Sequence, residues 1–245
     1  MVCRLCGHDR KLVKAHIIPE GFFRKLWHGK DMPFLLSDNE DIYPKRAPIG
    51  VYDREILCEA CELLFARWDQ YGQEFLERRH AWRLLRDHDN PVGYEVLDYD
   101  YANLKLFFVS VLWRASVSRH PFFKNIDLGS FEDIAKQQII EMAPGNADDF
   151  SVILAAFNAP TVKPSLDPAL ATWTDVRHYQ FYLGDCVAYI KADERKTPEP
   201  FHDLVLKETP PFLVISRDLR ASPELSLMKK IAQVHAGFGR RGHPA

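Results

Sequence analysis

The sequence has no long hydrophobic run, few cysteines and no excess of either charge, and each shortage removes a class of protein. The longest apolar stretch, "LFFVSVLW" at 106–113, is closed off by Lys105 and Arg114 and falls well short of a membrane span. The opening "MVCRLCGHDRK" has neither the apolar core nor the small-residue cleavage site of a signal peptide, so the expected location is the cytoplasm, with no membrane role. A net charge of -2 over 245 residues argues against a broadly basic face and leaves only local clusters for contact with nucleic acid. Internal repeats and low-complexity segments are missing too. What remains, 47% hydrophobic and 27% charged, is a globular chain able to bury a core without staples.

The few cysteines are not scattered. Four of the five form two Cys-x-x-Cys pairs, Cys3/Cys6 and Cys58/Cys61, while Cys186 stands alone in a strand-like stretch and reads as a small core hydrophobe. Two thiolates two residues apart can turn inward from a tight knuckle, and two such knuckles complete a tetrahedron around zinc. The Gly7 that follows Cys6 suits such a knuckle. A redox dithiol and incidental buried thiols are the competing readings, and a reducing compartment favours zinc over both. Four cysteines leave His8, inside the first knuckle loop, without a metal role.

Along the chain, residues 1–73 read as a small zinc module and residues 74–245 as a larger α+β domain with a small, antiparallel sheet. In the first part "RKLVKAHI" has strand character, "GFFRKLW" suits a short helix, and 31–52 is loop-rich. "DREILC" reads as a strand ending at Cys58, and the helix that follows carries Leu63, Leu64, Trp68 and Tyr71 on related turns, with Arg78, Arg79, Arg83 and Arg86 in its later part. In the second part, 101–118 is apolar nearly all round and should be a buried helix. Ser130 with Asp133 resembles a capping box for the next helix, which Pro144 and Gly145 should end. Strands are expected at 150–157, 177–192 and 212–219, with a bulge or turn at Gly184–Asp185. A last helix starts at Ser222–Pro223.

A cysteine knuckle, the segment "AHIIP", a strand ending in a second cysteine pair and a helix growing from that pair together resemble the HNH endonuclease family over about residues 1–72. The resemblance implies a ββα-metal fold, hydrolysis of DNA phosphodiester bonds, a structural zinc on Cys3, Cys6, Cys58 and Cys61, and a catalytic Mg2+ or Mn2+. It places His16 as the base that activates water. The family's middle asparagine falls on Asp53, which would orient His16 through a ring nitrogen, and its last metal-binding residue falls on Glu62. The acidic residue that often precedes the first histidine is Ala15 here, so three of the four positions depart from the usual residues.

Host defence and mobile elements are habitual settings of the family, so the resemblance implies bacterial defence, antiphage defence included, or a mobile element as the context. Lys14, Arg24 and Lys25 form the local basic cluster expected to touch phosphates, with His28 a lesser candidate. Residues 74–245 would then supply target recognition or bind a protein partner. The alternative from a different class is a non-catalytic binding or assembly subunit whose zinc merely staples a degenerate module.

Overall fold

The computed structural model describes residues 1–24, 34–37, 45–46, 50–158 and 166–235. Its first elements are short: β1 (Ala15–His16), α1 (Glu20–Arg24), β2 (Phe34–Leu35), β3 (Lys45–Arg46) and β4 (Tyr52–Asp53), followed by the long helix α2 (Glu59–Glu77). Then come β5 (Arg83–Asp87), β6 (Asn90–Val96), α3 (Tyr101–Val117), α4 (Phe131–Glu141), β7 (Val152–Asn158), β8 (Ala169–Trp173), β9 (Val176–Leu183), β10 (Cys186–Lys191), β11 (Phe212–Asp218) and α5 (Pro223–His235). Among the described residues no helix is long and apolar enough to cross a membrane.

The chain is mixed α and β, as expected, but the sheet is neither small nor wholly antiparallel. Seven strands run in the order β5-β6-β11-β7-β10-β9-β8, and β11 lies parallel to β7. Part of the difference comes from residues 83–96, whose first four were expected to extend the preceding helix. That helix ends at Glu77, and the chain turns through His88, at φ +52°, into the β5–β6 hairpin. The exposed, arginine-bearing β5 forms one edge of the sheet, where charge discourages pairing with another chain. The turn anticipated at Gly184 is present, with Gly184 at φ +66°, a conformation that favours glycine.

Alternation along the central strands divides the interior into two. Val152, Leu154 and Ala156 of β7 and Cys186, Ala188 and Ile190 of β10 join the main core with α2, α3 and the N-terminal segment. Ile153, Ala155 and Phe157, with Val187 and Tyr189, belong to a smaller core on the other face. Both strands are buried on both faces, which is why they read as continuous apolar runs rather than alternating ones. The main core is continuous from Cys3 to Val214, and α2 runs through residue 73, where a boundary between two units was expected.

Helix α3 is the central strut of that core. Asp100 caps it, its side chain accepting from the Asn103 amide at 3.0 Å. Gly72 lets α2 approach it: a Cβ there would sit 2.3 Å from the buried Phe107 ring. The capping box expected at the next helix does not form. Ser130 is itself helical and makes no side-chain cap, and α4 stops at Met142 in the left-handed region, two residues before Pro144. At α5 the Ser222 hydroxyl does accept from the Leu225 amide at 3.3 Å, as a cap should.

A helix with no wet face should carry no charge without a partner. Lys105 and Arg114, both 0% exposed, are the two charged residues of α3, and each has partners. Lys105 reaches the carbonyls of Asn146 and Ala147 at 3.4 and 3.3 Å. Burial lowers its pKa to about 7, with nearby Asp149 opposing the shift and Lys191 adding to it. Between pH 7 and the ordinary lysine value of 10.5, the unfolded chain therefore holds a proton that the folded chain has released. Stability contributed by this group rises with pH through that window and is flat below it. Lys105→Met should flatten the rise, read from urea unfolding at the two ends of the window; an unchanged slope would show that Lys105 is not the group responsible.

Candidate metal centre and the histidine beside it

The two cysteine pairs come together because residues 12–17 and 51–58 run alongside each other. Leu12 bridges to Cys58, the Val13 amide donates to the Leu57 carbonyl at 2.9 Å, and β1 pairs antiparallel with β4. The first knuckle is closed by Gly7, at φ +71°, whose amide donates to the Cys3 carbonyl at 2.9 Å, and by the Cys3 amide on the His8 carbonyl at 3.0 Å. The second knuckle opens α2, with Cys58 at its N-cap position. As a result the four sulfurs of Cys3, Cys6, Cys58 and Cys61 lie within 4.8 Å of one another.

All four are free thiols, Cys3 and Cys58 buried and Cys6 and Cys61 partly so. Four thiols at this spacing can hold a metal ion such as zinc. Burial opposes the Cys3 thiolate, but amides including that of Cys58, 3.4 Å from the sulfur, outweigh it and lower the pKa to about 7. Burial and its neighbouring sulfurs push Cys61 the other way. A cation placed among the sulfurs would reverse that preference for the thiol, since metal coordination favours the thiolate. Among the described residues no other group of three or more histidine, cysteine or acidic side chains converges in this way.

His16 stands on the hairpin beside this centre, and both its backbone polar groups are claimed by helices. Its amide donates to Glu62 Oε1 at 3.3 Å, in the first turn of α2, and its carbonyl accepts from Arg114 Nη1 at 2.7 Å. Glu62, the neighbour predicted from sequence, is thus brought to His16. Asp53 is not. In the antiparallel register Asp53 faces Ala15 and His16 faces Tyr52, so the Asp53 side chain projects from the opposite face of the hairpin. Its carboxylate accepts from the Glu55 amide at 2.8 Å, the Ser118 hydroxyl at 2.8 Å and the Arg119 amide at 3.1 Å, tying β4 to the end of α3. The ring that Asp53 was expected to orient lies against Tyr52 instead, centroids 6.1 Å apart.

Two atoms here are buried with no hydrogen-bond partner: His16 Nε2 and Glu62 Oε2. Burial lowers the His16 pKa, helped by Lys14 and Arg114 and opposed by Glu20, and burial raises that of Glu62. Glu20 Oε2 lies 3.8 Å from His16 Nε2, too far for a hydrogen bond. Glu20, the first residue of α1 and four positions beyond His16, was not anticipated.

Neither was the support beneath. Arg114 makes a paired contact with Asp69 at 2.6 and 2.8 Å and bonds Ser110 through Nε at 3.2 Å, its guanidinium 4.8 Å over the Phe65 ring. Asp69 lies two helical turns beyond Glu62, a spacing that puts both on one face of α2 and was readable in advance. Of the expected phosphate contacts, Lys14 sits over the Tyr52 ring at 4.2 Å and the exposed Arg24 pairs with Glu20 at 2.8 Å; Lys25 and His28 fall outside the described residues. Comparison of the chain with family models, curated proteins and solved structures finds no match.

Proposed function

We propose that this chain is a metal-dependent endonuclease of the HNH type that hydrolyses DNA phosphodiester bonds, with zinc on the four cysteines as its scaffold. One observation carries the reading: beside the cysteine cluster, a two-strand hairpin presents His16 to the first turn of a helix bearing Glu62, and each side chain has one buried polar atom without a partner. Two partnerless atoms of opposite preference are what a histidine and a carboxylate look like when they await a cation and its water. Glu62, assisted by Glu20, would hold Mg2+ or Mn2+, which take oxygen ligands and retain several waters, and which supply neutralisation of charge on the phosphate. His16, kept neutral by burial, takes the proton of the attacking water. Lys14 and Arg24 hold the flanking phosphates, and Asp53 has a positioning role through β4 rather than through the imidazole.

Plasmid nicking in Mg2+ or Mn2+ is the test. Wild-type protein should nick, and His16→Ala should lose about 100-fold or more, the ordinary contribution of a general base. Activity that survives the substitution removes His16 from the chemistry. A second reading, a zinc-stapled assembly subunit without catalysis, draws on the enclosure of His16 Nε2 from solvent and predicts no nicking with either metal.

A further inference from the structure

Tyr52 faces His16 across the hairpin, and two cations rest on it. In the antiparallel register of β1 and β4 the two side chains leave the same face, and their ring centroids lie 6.1 Å apart. Lys14, two residues before His16, places its ammonium 4.2 Å from the centre of the Tyr52 ring, and Arg54, two residues after Tyr52, brings its guanidinium carbon to 5.8 Å. Both lie within reach of cation–π attraction. One half-buried ring thus touches the histidine and gathers two positive charges beside it.

The protein leaves those charges unneutralised. Among the described residues neither Lys14 nor Arg54 forms an ion pair, whereas Arg24 is engaged by Glu20 at 2.8 Å. Asp53, which separates Tyr52 from Arg54 in the chain, leaves from the opposite face of the hairpin and is held by Ser118 and Arg119. Two unpaired cations over one ring suit an anion with several oxygens: the guanidinium fork matches a phosphate in shape, and the ammonium adds a point charge. A nucleobase is a poorer occupant, because stacking on the face that Lys14 covers would displace it. Contact with the ring also restricts two long side chains before any ligand arrives, so less freedom is lost when they close on it.

We infer that Lys14 and Arg54 together clamp a DNA backbone phosphate next to the scissile one, with Tyr52 as the positioning residue that holds both cations at the His16 site. The inference deepens the nuclease reading and rests on it for the identity of the polyanion. It brings in Arg54, whose charge is uncommitted where that of Arg24 is shared with Glu20.

Fluorescence anisotropy with a labelled DNA duplex, on the full chain and without added Mg2+ or Mn2+, separates binding from cleavage. Affinity should fall as salt rises, and Arg54→Gln should weaken binding about fivefold or more at low salt and flatten the log–log salt slope by about 0.9, the share of one phosphate contact. Lys14→Gln should do the same. Tyr52→Leu keeps both charges yet should weaken binding about threefold, while Tyr52→Phe, which keeps the ring, binds as wild type. Adding Tyr52→Leu to a chain that already carries Lys14→Gln and Arg54→Gln should change nothing further, a result that a merely structural role for the ring would not give. Arg54 is exposed, so its replacement should fold, and circular dichroism checks each variant. An unchanged salt slope in folded Arg54→Gln or Lys14→Gln, a wild type without DNA affinity, or equal losses in Tyr52→Phe and Tyr52→Leu overturns the clamp. Plasmid nicking then separates the two readings. Nicking by wild type with an unchanged slope in Arg54→Gln sinks the clamp and leaves the nuclease standing, whereas a flattened slope with no nicking in either metal supports the clamp and sinks the nuclease.

Discussion

Cys58→Ser should empty the metal centre and lower the melting temperature by about 10 °C or more. Wild-type protein is expected to contain about one zinc per chain by elemental analysis, and the variant close to none. The size of the effect follows from where the cluster sits. Cys3 and Cys58 are buried in the main core, and their cluster closes a 55-residue separation that is otherwise held by the short β1–β4 pairing, a few backbone bonds such as Arg4 to Ile56 at 2.8 Å, and core packing. Structural zinc typically contributes binding energy of about 10–16 kcal/mol in small domains, and a chain of this size loses about 2–4 °C for each kcal/mol, so forfeiting even part of that energy exceeds the predicted drop. Serine preserves the size of the side chain, so packing alone cannot account for such a loss. A variant that melts within about 2–4 °C of wild type, the shift that a single kcal/mol produces in a chain of this size, would show that the cysteines are merely close neighbours.

Arg114→Ala should cost about 3–5 kcal/mol in urea unfolding, the range found when one member of a buried ion pair is removed. Its guanidinium is wholly enclosed, and removal leaves the Asp69 carboxylate, the His16 carbonyl and the Ser110 carbonyl short of a donor at once. Asp69→Asn should cost less, because the amide oxygen still accepts and Arg114 retains His16 and Ser110. The order of the two losses is the discriminating result: equal losses would mean that the ion pair alone matters and that the clamp on His16 contributes nothing. If the nuclease reading holds, Arg114→Ala also lowers nicking, since the residue that takes the proton is held through its own peptide.

How much of this could be read from sequence depended on whether the signal was local. The cysteine pairs, the buried helix at 101–118 and the turn at Gly184 are written in spacing and composition over a few residues, and each appears. His16 and Glu62 were singled out by the same local pattern, and the structure places the Glu62 carboxylate against the His16 backbone amide. Asp53 was assigned to the imidazole because the motif counts residues along the chain, while a β-pair assigns faces by register: facing Ala15 rather than His16 reverses its direction. Arg114 was visible only as an unexplained charge in an apolar helix, and its partners are 45 and 98 residues away. The sheet was underestimated for a related reason. Arg83 to Arg86 carry no strong strand signal of their own, and it is pairing with β6 that makes them a strand.

The clamp on His16 also sets an order of events during synthesis. The ribosome releases Cys61 long before Arg114, so the sulfurs can gather while the partner of the His16 carbonyl, 98 residues further along, is still to be made. Until α3 emerges, the new chain has four sulfurs that could already hold a metal ion but lacks the donor that fixes the His16 peptide, so the last residue to lock the hairpin comes from the far side of the core.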